Sequence, residues 1–448
     1  MTSPRNAPPT CCALPAFERH LRRNHRRQKD RTQAMTAAHQ SHPGRASAGV
    51  TDTFSTVFGR RRDTVWSAPG RVNLLGEHVD YNGGPVLPFA IQQRSYVAAA
   101  TQTDGVVRLR SEQFPGELVE ATLSEVCSYR GRAADVAARQ PPHSPFGGWS
   151  AYVLGVIWAL SQVGVELPGL DIVVDGHVPV GAGLSSSAAL ECAATGAFAD
   201  LAGVHMDRAQ RARVAQHAEN EFVGVPCGLM DQMASTCAQS GHALLFDTLS
   251  GDTEQIPLDP SGAGYSMLVV DTGAAHGLVD GEYATRRAAC EEAARLLGVG
   301  VLGEVATRPP IGRDAALASI EDPTLRRRAR HVLSEIARVQ TAVEALRAGD
   351  WVLLGLLMDA SHDSLRDDFE VSSPQLDWTV GALRSAGALG ARLTGAGFGG
   401  SVVALVASCD LDGATAAVER SFASMGFSAP HSGVAVPSEG ARRDSHTP

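Results

Sequence analysis

The sequence predicts an α+β protein, and three features of the chain favour that class. Several short strand-like segments come before the first convincing helix, which we predict over residues 148–162. Glycine-rich turns join strand-like runs to their neighbours, and long helical patterns occupy much of the second half. Strands gathered in one part of a chain and helices in another are typical of α+β folds.

Length and composition predict a globular protein. The 448 residues are enough for two or three domains, each with its own core. Of these residues 44% are hydrophobic and 19% charged, and no run of about 18 apolar residues is available to span a bilayer. The eight cysteines form no Cys-x-x-Cys pair, which predicts neither a zinc site nor a disulfide framework. We therefore expect a cytoplasmic protein with no membrane partner.

Charge is distributed unevenly along the chain. Residues 1–50 contain nine Arg or Lys and two acidic residues, and the rest contains 30 basic and 46 acidic residues. A body this acidic is a poor candidate for binding a phosphate backbone, so we expect no nucleic-acid partner. The only lysine is Lys29, so the body lacks the phosphate-binding lysine of P-loop enzymes and protein kinases. A kinase built on this chain needs another device for holding phosphate.

The two ends of the chain are predicted to be disordered. Residues 1–50 are rich in Pro, Arg, His and Ser without a sustained apolar period, which predicts a basic extension. Its Arg-rich run would also suit a nucleic-acid patch or a transit peptide, and Met35 is an alternative start. Between the extension and a tail at 438–448 we predict an N-terminal domain over 51–255 and a C-terminal domain over 256–437, divided within a Gly-, Pro- and Asp-rich stretch.

The first candidate site lies near the start of the body. From Thr64 the chain alternates apolar and polar residues as a strand does, and it then enters a glycine-punctuated segment from Ala68 to Gly84. Four glycines and a proline argue against a continuous helix or strand, which predicts a polar loop. Glu77, His78 and Asp80 can pair with several neighbouring hydroxyl groups at once, as a small polyol requires. From these residues alone, a solvated glycine-rich turn explains the segment equally well.

The second candidate site is a glycine- and serine-rich turn. Strands predicted over 95–101, 106–111 and 118–123 precede it, and a strand over 170–174 leads directly into it. Its glycines let backbone N–H groups close around an anion, and its serines cap a helix predicted over 190–202. A tight turn into a capped helix is the alternative, but the combination favours a nucleotide-phosphate site. That site would comprise Gly181, Ala182, Gly183, Leu184, Ser185, Ser186 and Ser187.

The rest of the chain is predicted to alternate between strands and helices. A helix over 207–221 precedes Asp231, which on spacing alone is a favourable charge in the first turn of another helix. We predict strands over 242–247, 267–271, 390–393 and 402–407, and helices over 283–297, 325–347, 351–365 and 375–385. A third glycine-rich motif over 393–401 joins the last two strands, where such turns are routine.

The run from Gly70 to Asn82 resembles the signature of galactokinases, a branch of the GHMP family of small-molecule kinases. The match has no gap, and the other two glycine-rich motifs follow in family order, so that the resemblance covers roughly residues 60–435. The resemblance implies a two-domain GHMP kinase fold with the active site in the cleft between the domains. It also implies transfer of the γ-phosphoryl group of ATP to the C1 hydroxyl of galactose, giving galactose 1-phosphate and ADP.

The resemblance further implies roles for single residues. Asp231 would orient and deprotonate the C1 hydroxyl, and Arg71 would neutralise charge on the transferred group. Ser187 and Glu219 would hold Mg²⁺, the metal expected to act with ATP. The sugar would contact Glu77, His78, Val79, Asp80, Gly228 and Tyr283, and the nucleotide would contact residues 181–187, which we call the phosphate turn. Apart from the resemblance, Ser111 and Trp149 are candidates for contact with the adenine.

Two other functions stay open at this point. One is a related sugar kinase for N-acetylgalactosamine or arabinose, and the other is a non-catalytic regulator that binds galactose and ATP. A yeast relative of the second kind lacks a Ser-Ala pair in the phosphate turn, whereas this chain keeps Ser187-Ala188. The partners we expect are therefore galactose and ATP, bound by a monomer.

Overall fold

Three β-sheets carry the fold within residues 43–129, 146–274 and 279–444, which are the residues that the computed structural model describes. The strands are β1 (Thr64–Asn73), β2 (Pro85–Val86), β3 (Pro88–Gln102), β4 (Val106–Ser111), β5 (Leu118–Thr122), β6 (Gly169–Gly176), β7 (His242–Asp247), β8 (Thr253–Pro257), β9 (Tyr265–Asp271), β10 (Gly390–Thr394), β11 (Ser401–Ala407), β12 (His431–Ala435) and β13 (Arg442–Arg443).

Helices surround these sheets. They are α1 (Pro43–Phe58), α2 (Leu123–Cys127), α3 (Ser150–Gln162), α4 (Ser186–Leu201), α5 (Arg208–His217), α6 (Met230–Cys237), α7 (Val279–Leu296), α8 (Gly303–Ala306), α9 (Pro310–Ser319), α10 (Pro323–Ala348), α11 (Trp351–Ser364), α12 (Pro374–Ser385) and α13 (Leu411–Met425). None of those described is both long and apolar enough to cross a membrane.

The largest sheet has six strands in the order β13-β1-β3-β6-β4-β5. Its pairs are antiparallel except β4 with β6. Alternate residues of β3 face opposite sides of a sheet, and both sides are covered here. Val97 and Ala99 pack with helices α3 and α4, whereas Tyr96 and Ala98 pack with helix α1. The sheet is therefore an internal layer that holds the start of α4 in place.

Helix α1 corrects the predicted disordered extension. Residues 1–42 lie outside the described residues, but the helix begins at Pro43 and not after residue 50. Ala46, Val50 and Phe54 recur every four residues, so they share one face and are buried against the sheet. The basic and polar composition upstream obscured this short apolar period.

The C-terminal tail also departs from the prediction of disorder. Strand β13 pairs with β1, and the buried Arg94 guanidinium donates to the carbonyl oxygens of Glu439 and Gly440 at 2.7 and 2.8 Å. These contacts tie down the chain as far as Asp444, and only residues 445–448 lie outside the described part. Such long-range capture of a backbone leaves no local signal in the sequence.

The other two sheets come mostly from the second half. The four-stranded sheet has the order β10-β11-β9-β12 and is antiparallel throughout, and the three-stranded sheet has the order β2-β7-β8. Residues 44–448 form one compact unit. The predicted domain boundary at 255/256 falls inside β8, and the division into two domains stays a prediction.

Candidate active site

Arg71 projects from the end of β1. The structure corrects the prediction of a loop here, because residues 68–73 belong to the strand and only the segment after Asn73 turns away. The pairing with β3 shifts register between Pro69 and Arg71, which is the irregularity that a bulge produces. A Cβ atom on Gly70 would lie 2.5 Å from the carbonyl oxygen of Leu184, so only glycine allows β1 to approach the phosphate turn this closely.

The guanidinium of Arg71 makes a two-pronged contact with Asp231. Its Nε and Nη2 atoms donate to Oδ1 and Oδ2 of Asp231 at 2.8 and 2.9 Å, and its Nη1 atom donates to the carbonyl oxygen of Gly183 at 2.6 Å. The Arg71 side chain is 6% exposed and that of Asp231 27% exposed. The two predicted catalytic residues therefore meet, and the Asp231 carboxylate is the more open to a ligand.

Ser185 joins this pair in a way the sequence did not indicate. Its hydroxyl donates to Oδ2 of Asp231 at 2.6 Å, and its side chain does not cap helix α4 as predicted. Ser185 also has a φ of 60°, a left-handed conformation that costs a non-glycine residue free energy. Asp231 thus accepts three hydrogen bonds from the two elements that meet at the phosphate turn.

The phosphate turn has the form the sequence predicts. Gly181 and Gly183 adopt positive φ angles of 77° and 73°, and α4 begins directly after Ser185, four residues earlier than predicted. The first N–H groups of a helix have no partner within it, and its dipole places positive potential there. The turn can therefore bind an anion without a lysine.

The third glycine-rich motif lies against the phosphate turn. The Ser401 hydroxyl donates to the carbonyl oxygen of Ala182 at 2.7 Å. A Cβ atom on Gly395 would lie 2.9 Å from the carbonyl oxygen of Gly183, so the two backbones touch. The junction between β10 and β11 therefore fixes the position of the phosphate turn.

Glu77 is buried at the base of the site. It is 2% exposed, and its Oε1 atom accepts the backbone N–H of Gly395 at 2.7 Å. The Nη2 atom of Arg392 lies 3.5 Å from the same oxygen. Burial raises the pKa of Glu77, and the charges of Arg392 and Arg71 oppose that rise.

His78 is held by protein groups on both sides of its ring. Its Nε2 atom lies 3.1 Å from the carbonyl oxygen of Ala396, which can only accept, so Nε2 carries the proton. Its Nδ1 atom then accepts the hydroxyl of Tyr81 at 2.9 Å. Burial lowers the pKa of His78 to about 3, so the ring is neutral. Of the predicted sugar contacts, His78 has no free ring nitrogen and the Val79 side chain is fully buried in the core.

Asp80 lies directly against Gly228. A Cβ atom on Gly228 would lie 1.7 Å from Oδ2 of Asp80, so a side chain there would displace the carboxyl group. Burial and the nearby charge of Asp231 raise the pKa of Asp80 to about 7. Tyr283, on α7, completes this side, with its ring 5.7 Å from that of His78.

The two predicted metal ligands also meet. Glu219 lies in a π-helical turn, Ala218–Val223, that extends α5, and such turns are frequent at functional sites. Ser187 lies close enough to the Glu219 carboxyl group to lower its pKa, and the side-chain amide of Gln232 donates to Oε2 at 2.7 Å. Burial and the charge of Asp231 raise the pKa of Glu219, and the influence of Ser187 opposes that rise.

Sequence reasoning missed Glu191, a fully buried neighbour of Glu219. Burial raises the pKa of Glu191 well above its ordinary value, and the charge of Glu219 adds to the rise. The available signal was a single carboxyl group within the apolar helical run from Ala188 to Ala194. A glutamate is almost never fully buried unless it is paired with another group.

Ser111 lies beside the strand that leads into the phosphate turn, and Trp149 packs against Phe114. Ser111 ends β4 and pairs with Val174 of β6, the strand that leads into the turn. The side chain of Gln113 accepts the N–H of Gly176 at 3.0 Å and lies 3.3 Å from the Ser111 hydroxyl. The ring of Trp149 stacks on that of Phe114 with centroids 6.2 Å apart, which offers an apolar surface.

Comparison with known proteins identifies three matching regions. Residues 52–101 match the galactokinase galactose-binding signature, residues 151–239 the N-terminal domain of GHMP kinases, and residues 342–423 their C-terminal domain. A galactokinase of Streptomyces coelicolor is 45% identical over 402 residues, or 89% of this chain and 99% of that protein. A galactokinase of Mycobacterium tuberculosis is 40% identical over 82% of this chain and 95% of its own length.

Solved structures agree with these relatives. A crystal structure of Lactococcus lactis galactokinase complexed with galactose superposes with a TM-score of 0.80 at 33% identity, over 88% of this chain and 99% of that one. Methanococcus jannaschii mevalonate kinase superposes with a TM-score of 0.58 at 18% identity, over 83% and 98%. At that identity the second likeness shows the fold alone.

Proposed function

This chain belongs to the galactokinase family of the GHMP kinases, and on that premise we propose that it transfers the γ-phosphoryl group of ATP to the C1 hydroxyl of galactose. The products are galactose 1-phosphate and ADP. The observation that carries the proposal is the contact of Arg71 and Ser185 with Asp231 beside a lysine-free phosphate turn. A phosphoryl acceptor and a phosphoryl donor can meet there.

Alignment of the two substrates is the main contribution that we assign to the protein. Phosphoryl transfer depends on positioning and on neutralising charge, because little covalent chemistry falls to the enzyme. Asp231 holds the C1 hydroxyl in line with the γ-phosphoryl group and accepts its proton as the bond to phosphorus forms. Arg71 and Ser185 fix the direction of that carboxylate.

Arg71 has a second role in this proposal. Its guanidinium is positively charged and lies in direct contact with the Asp231 carboxylate. The same positive charge lies next to Gly183 of the phosphate turn, where charge develops on the transferred group. We therefore assign charge neutralisation to Arg71 and positioning, followed by proton acceptance, to Asp231.

Ser187 and Glu219 are the residues that would hold Mg²⁺. A hydroxyl and a carboxylate are the oxygen ligands that this ion prefers, and phosphates and water supply the rest. Ser187 lies in the first turn of α4 and close enough to Glu219 to affect its pKa, so the two residues fit the ion. When bound, the ion would neutralise phosphate charge.

The sugar pocket in this proposal is formed by Glu77, Asp80, Tyr283 and the backbone of His78, Val79 and Gly228. A site that hydrogen-bonds the axial C4 hydroxyl leaves polar groups unpaired when glucose binds instead. ATP lies along the phosphate turn, with its base towards Ser111 and Trp149. Galactose and ATP are thus the partners, and we propose that the chain acts as a cytoplasmic monomer.

An ADP-release assay with a panel of sugars tests this function. We expect galactose to be turned over far faster than glucose, arabinose or N-acetylgalactosamine. Asp231→Asn should lower kcat by about 10²–10⁴-fold without loss of folding, since it removes the proton acceptor. Asp104→Asn, which changes a carboxylate bound to Arg108, is the control and should leave turnover unchanged. Equal turnover of galactose and glucose would contradict the proposed pocket.

A further inference from the structure

A fully buried arginine lies beneath the proposed sugar pocket without a complete set of partners. Arg392, on β10, is 0% exposed. Its Nη1 atom donates to the carbonyl oxygens of Asn73 and Leu74 at 3.2 and 2.9 Å, where β1 ends. Within the described part of the chain, its Nε and Nη2 atoms have no hydrogen-bond partner. Burying a guanidinium costs free energy unless its charge is paired with an opposite charge.

The charge of Arg392 faces Glu77. Its Nη2 atom lies 3.5 Å from Oε1 of Glu77, an ion pair with side chains 0% and 2% exposed. In a poorly hydrated interior, Coulomb attraction at this distance is much stronger than at a surface. Arg392 is also the largest of the influences that oppose the rise of the Glu77 pKa caused by burial.

Glu335 is a second carboxylate whose charge acts on Arg392, after that of Glu77. Glu335, on α10, is already occupied by the N–H of Gly76, the hydroxyl of Ser361 and the Nε atom of Arg338 at 2.9, 2.7 and 2.6 Å. These contacts hold the loop that bears Glu77 from the other side. Because Glu335 already has these partners, the Nη2 atom of Arg392 is left to pair with Glu77.

We propose that Arg392 is a positioning residue for Glu77, which directs that carboxylate so that it accepts a hydroxyl group of galactose. The inference rests on the proposed function, because Glu77 binds sugar only if the chain phosphorylates one. Arg392 does not touch substrate in this account. Its removal should weaken galactose binding and leave ATP binding and the phosphoryl-transfer step nearly unchanged.

The test compares Arg392→Met with Arg392→Lys in ADP-release assays that vary galactose and ATP separately. Losing a charge-assisted contact corresponds to about 10–100-fold, so we expect Arg392→Met to raise the KM for galactose by that factor. The KM for ATP and kcat should change by less than about threefold. Arg392→Lys keeps the charge but not the planar fork, so it should recover part of the affinity.

A double-mutant cycle separates this role from structural support. In the E77Q background there is no charge to direct, so Arg392→Met should raise the KM for galactose by less than about twofold further. Arg94→Met is the matched control, because Arg94 is also buried (3% exposed) and its guanidinium donates, among the described residues, to Ser67 and to the backbone carbonyls of Glu439 and Gly440. It should lower the melting temperature and leave the KM for galactose unchanged.

The proposed function and the role of Arg392 are contradicted by different results. A wild-type protein without galactose-dependent ADP release would contradict the proposed function. An active wild type in which Arg392→Met leaves the KM for galactose unchanged, or raises it equally in the E77Q background, would overturn the role of Arg392. If Arg392→Met does not fold, Arg392→Lys in both backgrounds decides: a severalfold rise in KM confined to the chain with Glu77 supports the proposal, and an equal change overturns it.

Discussion

The carboxyl group of Asp80 lies where its negative charge is disfavoured. It packs against the Cα atom of Gly228 and near the charge of Asp231, and burial together with that charge raises its pKa to about 7. The folded protein therefore holds a proton between about pH 4 and pH 7 that the unfolded chain has lost. Stability consequently falls as pH rises through this window, which is the opposite of the usual behaviour of a salt-bridged aspartate.

Asp80→Asn should therefore stabilise the folded protein and lower its activity on galactose. We expect a gain on the order of 1–2 kcal/mol at pH 8 and a smaller gain at pH 5, because the substitution removes the charge whose pKa is raised. Loss of the ionised acceptor should lower kcat/KM for galactose by about 10²-fold at pH 8. Urea unfolding at the two pH values and a pH–rate profile measure both. An equal gain at pH 5 and pH 8 would contradict the role of burial.

Ser185 combines a strained backbone conformation with a hydrogen bond to a proposed catalytic residue. Its left-handed backbone is unfavourable for a serine, and its hydroxyl bonds to Asp231 at 2.6 Å. Strain of this kind persists at sites where the residue has a task. Glycine would adopt the conformation more easily but could not orient the carboxylate.

Ser185→Gly and Ser185→Ala should separate these two effects. Both remove the hydrogen bond to Asp231, so we expect kcat to fall about tenfold in each. The glycine variant should be more stable than the alanine variant by about 1 kcal/mol, because it relieves the left-handed strain. Steady-state kinetics and urea unfolding provide the measurements. Unchanged kcat in both variants would show that the hydroxyl does not act through Asp231.

Among the elements, helix α4 connects the six-stranded sheet to the phosphate turn. Its Gly196 lies on Trp66 of β1 so closely that a Cβ atom would meet the indole ring at 2.3–2.8 Å. The helix therefore lies so close to the sheet that only glycine fits at position 196. This close packing also sets the height of Ser186 and Ser187 above the sheet.

Gly196→Ala should consequently destabilise the protein despite the helix propensity of alanine. Overpacking of this kind costs about 1–3 kcal/mol, and a shift of α4 should raise the KM for ATP. Gly381→Ala, in α12, is the matched control, since a Cβ atom there meets nothing within 4 Å. That variant should gain up to about 1 kcal/mol. Urea unfolding of both gives the answer, and two changes of the same sign would contradict the packing described.

Helix α1 covers the face of the sheet opposite α3 and α4. Its Phe54 is fully buried with Val65, Tyr96 and Val173, near the start of the region that matches the galactose-binding signature. The helix contributes no side chain to the candidate site. Its contribution is therefore to the stability of the layer beneath the site.

Phe54→Ala should lower the free energy of unfolding by about 3–5 kcal/mol, because it leaves a cavity against the sheet. The KM values for galactose and ATP at 25 °C should not change in the folded variant. Ser55→Ala, on the exposed side of the same helix, is the control and should have almost no effect. Thermal unfolding with kinetics measures both, and an unaffected melting temperature for Phe54→Ala would mean that α1 does not dock as described.

Over the whole molecule, the sequence predicted those features that depend on residues close together in the chain. The phosphate turn was predictable because strand, glycines, serines and helix lie within one short run, and β4 and β7 have the predicted bounds. Contacts across the fold were not predictable. The hydroxyl of Ser185 meets Asp231, 46 positions away, and the tail is held by Arg94, more than 340 positions away.

The candidate site divides in the same way. Family motifs indicated which residues matter, and the structure brings Arg71, Asp231, Ser187 and Glu219 together. The motifs did not indicate that both ring nitrogens of His78 are used internally or that Glu191 is buried beside Glu219. Those features depend on packing by segments that carry no motif.

The central claim is that glycine amides and serines hold the triphosphate of ATP while the sugar lies against Asp231. A structure determined with galactose and a non-hydrolysable ATP analogue tests it most directly. The account predicts phosphates along residues 181–187 and the C1 hydroxyl within hydrogen-bond distance of Asp231, with Asp80 on the sugar. A nucleotide bound elsewhere, or a sugar that contacts neither aspartate, would contradict it.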